Sequence, residues 1–250
     1  MNFVALISGG KDSIFTILKL VQEGHKVICL ANLYPPKQQE LDSYMYQSVG
    51  SEVAVYIAEA LELPLIRKEI TGKAVNVDLE YIPTKEDEVE NLYELLKDVK
   101  EQYPDVQAVS SGAILSNYQK NRVEDICNRL GLISFAPLWE RDQKELVQEM
   151  VDNKMDAILV RVATEGLKKE HLGKTISDML PTLFKLGEKY GINVCGEGGE
   201  FESITLDCPL FKKRIVVEEA EVVTELEDPI MLRAKLVFKK LSLVDKNKSD

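Results

Sequence analysis

"ALISGGKDSIF", residues 5–15, decides how this chain is read. The apolar run over 3–7 has the look of a short strand buried on both faces. It stops at Gly9-Gly10, and from Ser13 to Glu23 the apolar residues Ile14, Ile17, Leu18 and Val21 recur at helical spacing until Gly24. Glycines at a strand-to-helix turn permit positive φ and let backbone N–H groups come close to a ligand. The helix that follows aims its free N–H groups and the positive end of its dipole at the same place, which makes an anion site suited to phosphate. Ser8 and Ser13 add hydroxyls and Lys11 adds a charge. A plain tight turn, with Asp12 or Ser13 capping the helix, is the other reading of these residues. The turn is not a Walker loop, because Ala5 stands where that pattern needs glycine and Asp12 where it needs Ser or Thr.

The rest of the first half repeats the alternation. Strand patterns over 26–32, 65–70, 106–110 and 132–136 are separated by helical patterns over 41–61, 86–102 and 117–130. Strands alternating with helices imply parallel crossovers and an α/β fold, here a five-stranded parallel sheet with helices on both faces. Ligands of such sheets sit beyond the carboxyl ends of the strands. The first and fourth strands both end in Ser/Gly turns, Ser8-Gly9-Gly10 and Ser110-Ser111-Gly112, which face one another if those strands are neighbours. After about residue 137 the texture changes: helices over 143–153 and 176–190 alternate with strand-like runs over 157–162, 214–217 and 232–238. The expected organisation is a nucleotide-binding domain over 1–136, a smaller α+β domain over 137–245, and a polar tail over 246–250.

Composition narrows the function. The 250 residues carry 31 Lys plus Arg against 42 Asp plus Glu, a formal charge of −11, which argues against bulk binding of nucleic acid. No apolar run approaches the ~20 residues of a membrane helix, and the glycine pair with Asp12 interrupts anything like a secretion signal. The four cysteines, Cys29, Cys127, Cys195 and Cys208, form no CxxC pair, so a reduced cytoplasmic protein is expected, with no zinc site or disulfide frame.

SGGKDS matches the pyrophosphate-loop signature SGGxDS, and the chain resembles the adenine nucleotide alpha hydrolase-like (HUP-type) superfamily, whose members cleave ATP between the α and β phosphates. Four further stretches, ELDSYMYQSVG (40–50), DEVENLYELLKDVK (87–100), GAILSNYQKNRVEDICNRLGL (112–132) and NVCGEGGEFES (193–203), together with LDCPLFKK (206–213), resemble the diphthine–ammonia ligase family. The likeness runs from Met1 to about Val223. It departs at Ser111, where Val is expected, and at Ser51, where His is expected. The extra carboxy-terminal domains that some fungal members carry are not expected here.

The resemblance implies an activity and a site. The expected reaction amidates protein-bound diphthine, on translation elongation factor two, with ATP, Mg²⁺ and ammonium. It would pass through an acyl-adenylate and release AMP and pyrophosphate. Ser8, Gly9, Gly10, Lys11, Asp12 and Ser13 would contact the phosphates, and Asp12 would also place Mg²⁺. Ala31, Asn32 and Leu33 would meet the adenine, mainly through backbone, and Ser110 and Gly112 would line the nucleotide pocket. In GEGGEFES, Glu197, Glu200 and Glu202 are the candidate acids that face substrate or orient ammonia, with Gly198 and Gly199 letting the backbone bend. Phe201, Tyr44, Tyr46 or Trp139 would add cation–π attraction to a quaternary ammonium, worth about 0.5–2 kcal/mol.

Weaker candidates stay open. Arg122 and Glu124 either reach the nucleotide or form a surface ion pair; Ser116 either lines the pocket or caps its helix; His171 is either structural or in touch with substrate. The acidic run over 85–94 is expected to be a solvated helix face. Two competing functions also remain: a tRNA-modifying ATP pyrophosphatase, and a nucleotide-binding sensor of the same fold without catalysis.

Overall fold

The computed structural model describes residues 1–36, 52–227 and 232–246. The chain divides into two compact units, one of Met1–Ser8, Asp12–Ala54 and Leu63–Trp139, the other of Gly9–Lys11, Val55–Glu62 and Glu140–Asp250.

The first unit is built on β1 (Asn2–Leu6), β2 (Lys26–Tyr34), β3 (Leu65–Glu69), β4 (Ala108–Ser110) and β5 (Ile133–Phe135), all parallel, in the order β3-β2-β1-β4-β5. The sheet reverses direction of growth at β1, whose neighbours are β2 and β4, so β1 and β4 do lie side by side. This is the switch point where α/β sheets bind ligands. Its helices are α1 (Lys11–Gln22), α2 (Val53–Leu61, shared with the second unit), α3 (Glu88–Gln102) and α4 (Asn117–Leu130). Helix α4 runs between a side-chain cap, Ser116 Oγ accepting from the Gln119 N–H, and a left-handed Gly131, the two signals that delimit it in the sequence. Val4, Ala31, Leu92, Leu96, Val109 and Ile126 are among the side chains that close one core of this unit.

Two expectations shift. Helix α1 begins at Lys11, two residues before the expected Ser13, so Lys11, Asp12 and Ser13 form its first turn. The helix expected over 41–61 is described as α2; its earlier part, with Tyr44, Tyr46 and Ser51, lies outside the described residues.

The second unit holds α5 (Gln143–Asp152), β6 (Asp156–Val162), a single 3₁₀ turn (Lys169–His171), α6 (Ile176–Tyr190), β7 (Phe201–Asp207), β8 (Lys213–Glu227) and β9 (Leu232–Asp245). Its sheet is antiparallel, ordered β7-β6-β9-β8. Strands β8 and β9 run well past the expected 214–217 and 232–238. Their extra residues are largely charged and exposed, and cross-strand pairs such as Glu225–Lys235 (3.1 Å) and Glu221–Lys239 (2.7 Å) decorate the hairpin. No helix among the described residues is long and apolar enough to cross a membrane.

Candidate active site

The turn after β1 is closed from within. Gly9 has φ +95°, a conformation that side-chain-bearing residues rarely adopt, and the Ser8 N–H donates to Ser13 Oγ at 3.4 Å. Asp12 stands in the first turn of α1, where a carboxylate complements the dipole. The turn after β4 is pressed against that same first turn. A Cβ on Gly112 would lie 2.8 Å from the Ser13 N and 3.0 Å from the Asp12 carbonyl carbon, so only glycine allows this approach. Ser111 holds its place by backbone, its N–H donating to the Phe135 carbonyl at 3.0 Å and its carbonyl accepting from Thr16 Oγ1 at 3.5 Å. Ser110 is buried, and its hydroxyl has no hydrogen-bond partner among the described residues. A polar atom left so, at the carboxyl end of β4, suits a site that a ligand completes.

The β2 residues are engaged in the sheet. The Ala31 carbonyl accepts from the Ile7 N–H at 2.9 Å, and Leu33 belongs to the core. Asn32 is buried. It donates through Nδ2 to the Ile7 carbonyl at 2.9 Å and accepts from Arg67 Nε at 2.8 Å, while the Arg67 guanidinium lies over the Tyr34 ring.

In the second unit, Gly9–Lys11 meet the strand that carries the EGGEFE run. The Thr205 N–H donates to the Gly9 carbonyl at 2.9 Å, and the Lys11 N–H to Ser203 Oγ at 3.3 Å. Lys11 is 2% exposed; its ammonium donates to the Cys195 carbonyl and lies 5.2 Å from the centre of the Phe201 ring. Its charge thereby meets the segment that leads into β7. Sequence reading missed Ser203 and Thr205. Their signal was two polar residues alternating with Ile204 and Leu206 on a strand buried on both faces.

Two of the three glycines in Gly196–Glu200 answer to a neighbour. Gly196 takes φ +78° with the Phe201 carbonyl oxygen 2.8 Å from where its Cβ would be, and the Glu200 carboxylate occupies the space a Gly198 side chain would need. The Glu200 carboxylate is held within the loop. Its Oε1 accepts from the Asn193 N–H and its Oε2 from the Gly198 N–H, both at 2.9 Å, so both oxygens serve the loop itself. Glu202 is paired with Arg161 across the β6–β7 ladder at 3.1 Å, and Arg161 reaches Glu225 at 3.2 Å. Thus Glu200 and Glu202, both candidate acids, are engaged by different partners. Phe201 is 3% exposed and buried against Gly196, with the Lys11 ammonium as the cation at its ring. Glu197 is half-buried within the loop, and Gly198 and Gly199 are exposed.

Glu200→Gln is therefore expected to loosen the loop. A glutamine amide has one oxygen and turns an NH₂ toward one of the two N–H groups, a donor against a donor. The cost is about 1–3 kcal/mol. Faster hydrogen exchange at Gly198 or Asn193, alongside a lowered melting temperature, is the expected reading; unchanged exchange and melting would show that the carboxylate's work lies elsewhere.

The weaker candidates resolve to structural duties. Arg122 is 0% exposed and spends its guanidinium on backbone carbonyls at Tyr118, Asn76 and Asp78. Glu124 pairs with Lys120 at 2.9 Å, and Lys120 lies over the Trp139 ring. His171 Nδ1 accepts the Lys168 N–H at 2.9 Å, and burial holds its pKa below the usual value. The 85–94 run is not a solvated face throughout, because Asp87 and Glu88 are buried. Burial pushes the thiols of Cys29 and Cys127 up to about 12 and that of Cys208 up to about 11. They are protonated at neutral pH and poorly suited to sulfur transfer. Among the described residues no three His, Cys, Asp or Glu side chains gather as a metal site.

A family model described as the diphthamide synthase N-terminal domain matches residues 1–134, and one described as the diphthamide synthase C-terminal domain matches 142–237. The curated diphthine–ammonia ligases of Bos taurus and Danio rerio are each 51% identical to this chain, over 98% of it and over 94% and 98% of their own lengths. The Schizosaccharomyces pombe diphthine–ammonia ligase is 50% identical over 89% of this chain, a stretch that makes up 37% of that protein. Among solved structures, a U34-tRNA thiolase from Methanococcus maripaludis covers 79% of this chain and 69% of its own with 14% identity and a TM-score of 0.35, too slight a likeness to argue from.

Proposed function

The chain belongs to the diphthamide synthase family, and from that premise we propose that it joins ammonia to the carboxylate of diphthine on translation elongation factor two, at the expense of ATP. The observation that carries the reading is half-identity to diphthine–ammonia ligases across both units. The geometry supports the ATP half of the chemistry: a glycine turn at the amino end of the twelve-residue α1, a second turn pressed against it, and a buried Ser110 hydroxyl awaiting a partner.

A carboxylate resists ammonia because it is anionic and lacks a leaving group. In the proposed sequence a carboxylate oxygen attacks the α-phosphorus, and the bond to pyrophosphate breaks. Ammonia then attacks the acyl carbon, AMP leaves with that oxygen, and one proton is lost from nitrogen. The first-turn amides of α1, with Ser8, Gly9, Gly10 and Ser13, would stabilise the departing pyrophosphate, which is catalysis by position and preorganised dipoles. Ala31, Asn32 and Leu33 would border the adenine. Mg²⁺ would be held by phosphate oxygens with Asp12 as the one protein carboxylate, a sparse ligand set that suits this ion and that neutralises phosphate charge. Glu197 is assigned to the substrate's quaternary ammonium or the incoming ammonium.

Buried thiols and a charge of −11 weigh against a tRNA sulfur-transfer reading. The test is incubation with ATP, Mg²⁺, ammonium and diphthine-bearing elongation factor. Amide on the factor, with AMP and pyrophosphate in equal amounts, is the expected result. Nucleotide binding without AMP would mark a sensor, and AMP formation that answers to tRNA and not to the factor would mark the other enzyme class.

A further inference from the structure

The segment between β3 and α3 carries four of the chain's large exposed apolar side chains. Val75, Val77, Leu79 and Ile82 are 52, 59, 65 and 69% exposed. Such residues scattered singly mean little, but four within eight positions on one segment are a patch. The segment is also built, not slack. From α4, Arg122 donates to the Asn76 and Asp78 carbonyls, Tyr118 Oη to Asn76 at 3.4 Å, and Asn121 Nδ2 to the Leu79 carbonyl at 3.0 Å. From the start of α3, Asp87 Oδ2 accepts the Val75 and Asn76 N–H groups at 3.0 and 2.8 Å. The hydrophobic effect would favour turning these side chains inward, and a fully buried arginine beneath the segment instead holds its backbone so that they point out.

Three observations say what covers the patch. The segment leaves the carboxyl end of β3, the edge of the parallel sheet that carries the turns after β1 and β4, and it is clamped to the helix that follows the β4 turn. The Val77 N–H and C=O have no hydrogen-bond partner among the described residues, although the neighbouring Asn76 is gripped on both its groups. Between Lys73 and Lys85 there is no basic residue, while Asp78 and Glu80 are exposed beside the apolar side chains.

Resting on the function proposed above, we infer that Val75–Ile82 is the docking surface for the protein that carries diphthine. It takes an extended segment of that protein, apolar with basic residues beside it, which pairs with the Val77 backbone and covers the apolar side chains. Recognition of this kind draws affinity from main-chain hydrogen bonds and specificity from alternate side chains. A reaction on one side chain of a large protein needs such contacts away from the reacting atoms.

The double variant Leu79→Ser/Ile82→Ser tests this in the full chain. KM for the diphthine-bearing protein is expected to rise about tenfold, with kcat and ATP affinity little changed, as for loss of contacts made equally in ground and transition states. Asp78→Lys/Glu80→Lys is expected to act in the same direction and to be relieved by salt. In the wild-type chain, saturating protein substrate should slow hydrogen exchange at the Val77 amide, a readout independent of any variant's folding. An unchanged KM, or no protection at Val77, would overturn the surface. So would sedimentation showing a wild-type dimer that Leu79→Ser/Ile82→Ser takes apart, since the patch would then cover a second copy. Absence of any amide product from the wild-type chain would instead remove the proposed activity, a separate outcome.

Discussion

Arg122→Met is expected to destabilise the first unit by about 3 kcal/mol and to lower the melting temperature by roughly 6–12 °C. The side chain is completely buried and its guanidinium supplies hydrogen bonds to the Asn76, Asp78 and Tyr118 carbonyls while lying 3.3 Å over the Tyr118 ring. Methionine fills much of the volume but donates nothing. The Asp78 carbonyl then loses its donor, and Asn76 keeps only the long bond from Tyr118 Oη. Each buried carbonyl left so costs about 1–3 kcal/mol, offset in part because the guanidinium need no longer be desolvated. Lysine is not expected to rescue, because a single ammonium cannot replace a planar fork that reaches two carbonyls and stacks at once. Thermal unfolding, with hydrogen exchange across residues 71–87, checks this. If Arg122→Met melted like the wild type while losing ATP turnover, Arg122 would belong with the nucleotide after all.

Gly112→Val carries the largest expected effect on activity. A Cβ at this position meets backbone atoms of Asp12 and Ser13 at 2.8–3.1 Å, and backbone at the start of a packed helix cannot swing aside as a side-chain tip can. The first turn of α1 must shift, and with it the amides assigned to the phosphates. We expect at least a 100-fold loss of AMP formation, equivalent to about 2.7 kcal/mol in the barrier, with a stability cost of about 1–3 kcal/mol from overpacking. Gly112→Ala meets the same backbone atoms through the same Cβ but adds no further methyl groups, and should fall between the two. Nucleotide titration and steady-state AMP release measure both. A valine variant with normal ATP affinity and turnover would mean that this close approach serves only packing.

Most of the first unit, and the helices of the second, were legible because these elements announce themselves locally. Helix α4 lies between Ser116 and Gly131 and α6 between Thr175 and Gly191, and in each case a side-chain cap and a left-handed glycine mark the ends. The start of α1 was misplaced because its first turn, Lys11-Asp12-Ser13, has no apolar residue to show a period. Strands β8 and β9 outran their apolar cores because a hairpin with charged faces is held by pairing and cross-strand ion pairs, which hydrophobic alternation does not register. Arg122 and Glu200 show the limit at the site. Both are charged residues beside recognisable motifs, and both bond to backbone groups, Arg122 to carbonyls 44–46 positions away and Glu200 to N–H groups two and seven positions away. Residue type gave no hint of those partners. The meeting of Gly9–Lys11 with β7 was likewise hidden, since the Lys11–Ser203 bond joins residues 192 positions apart.

The central claim is that the diphthine carboxylate is activated at the α-phosphorus of ATP by groups around the amino end of α1. The most direct measurement is isotope transfer: amidation of diphthine carrying ¹⁸O in its carboxylate, with mass analysis of the nucleotide product. The account predicts AMP with one ¹⁸O in its phosphate for each amide made from fully labelled carboxylate. Unlabelled AMP, or ADP with the label in inorganic phosphate, would contradict it.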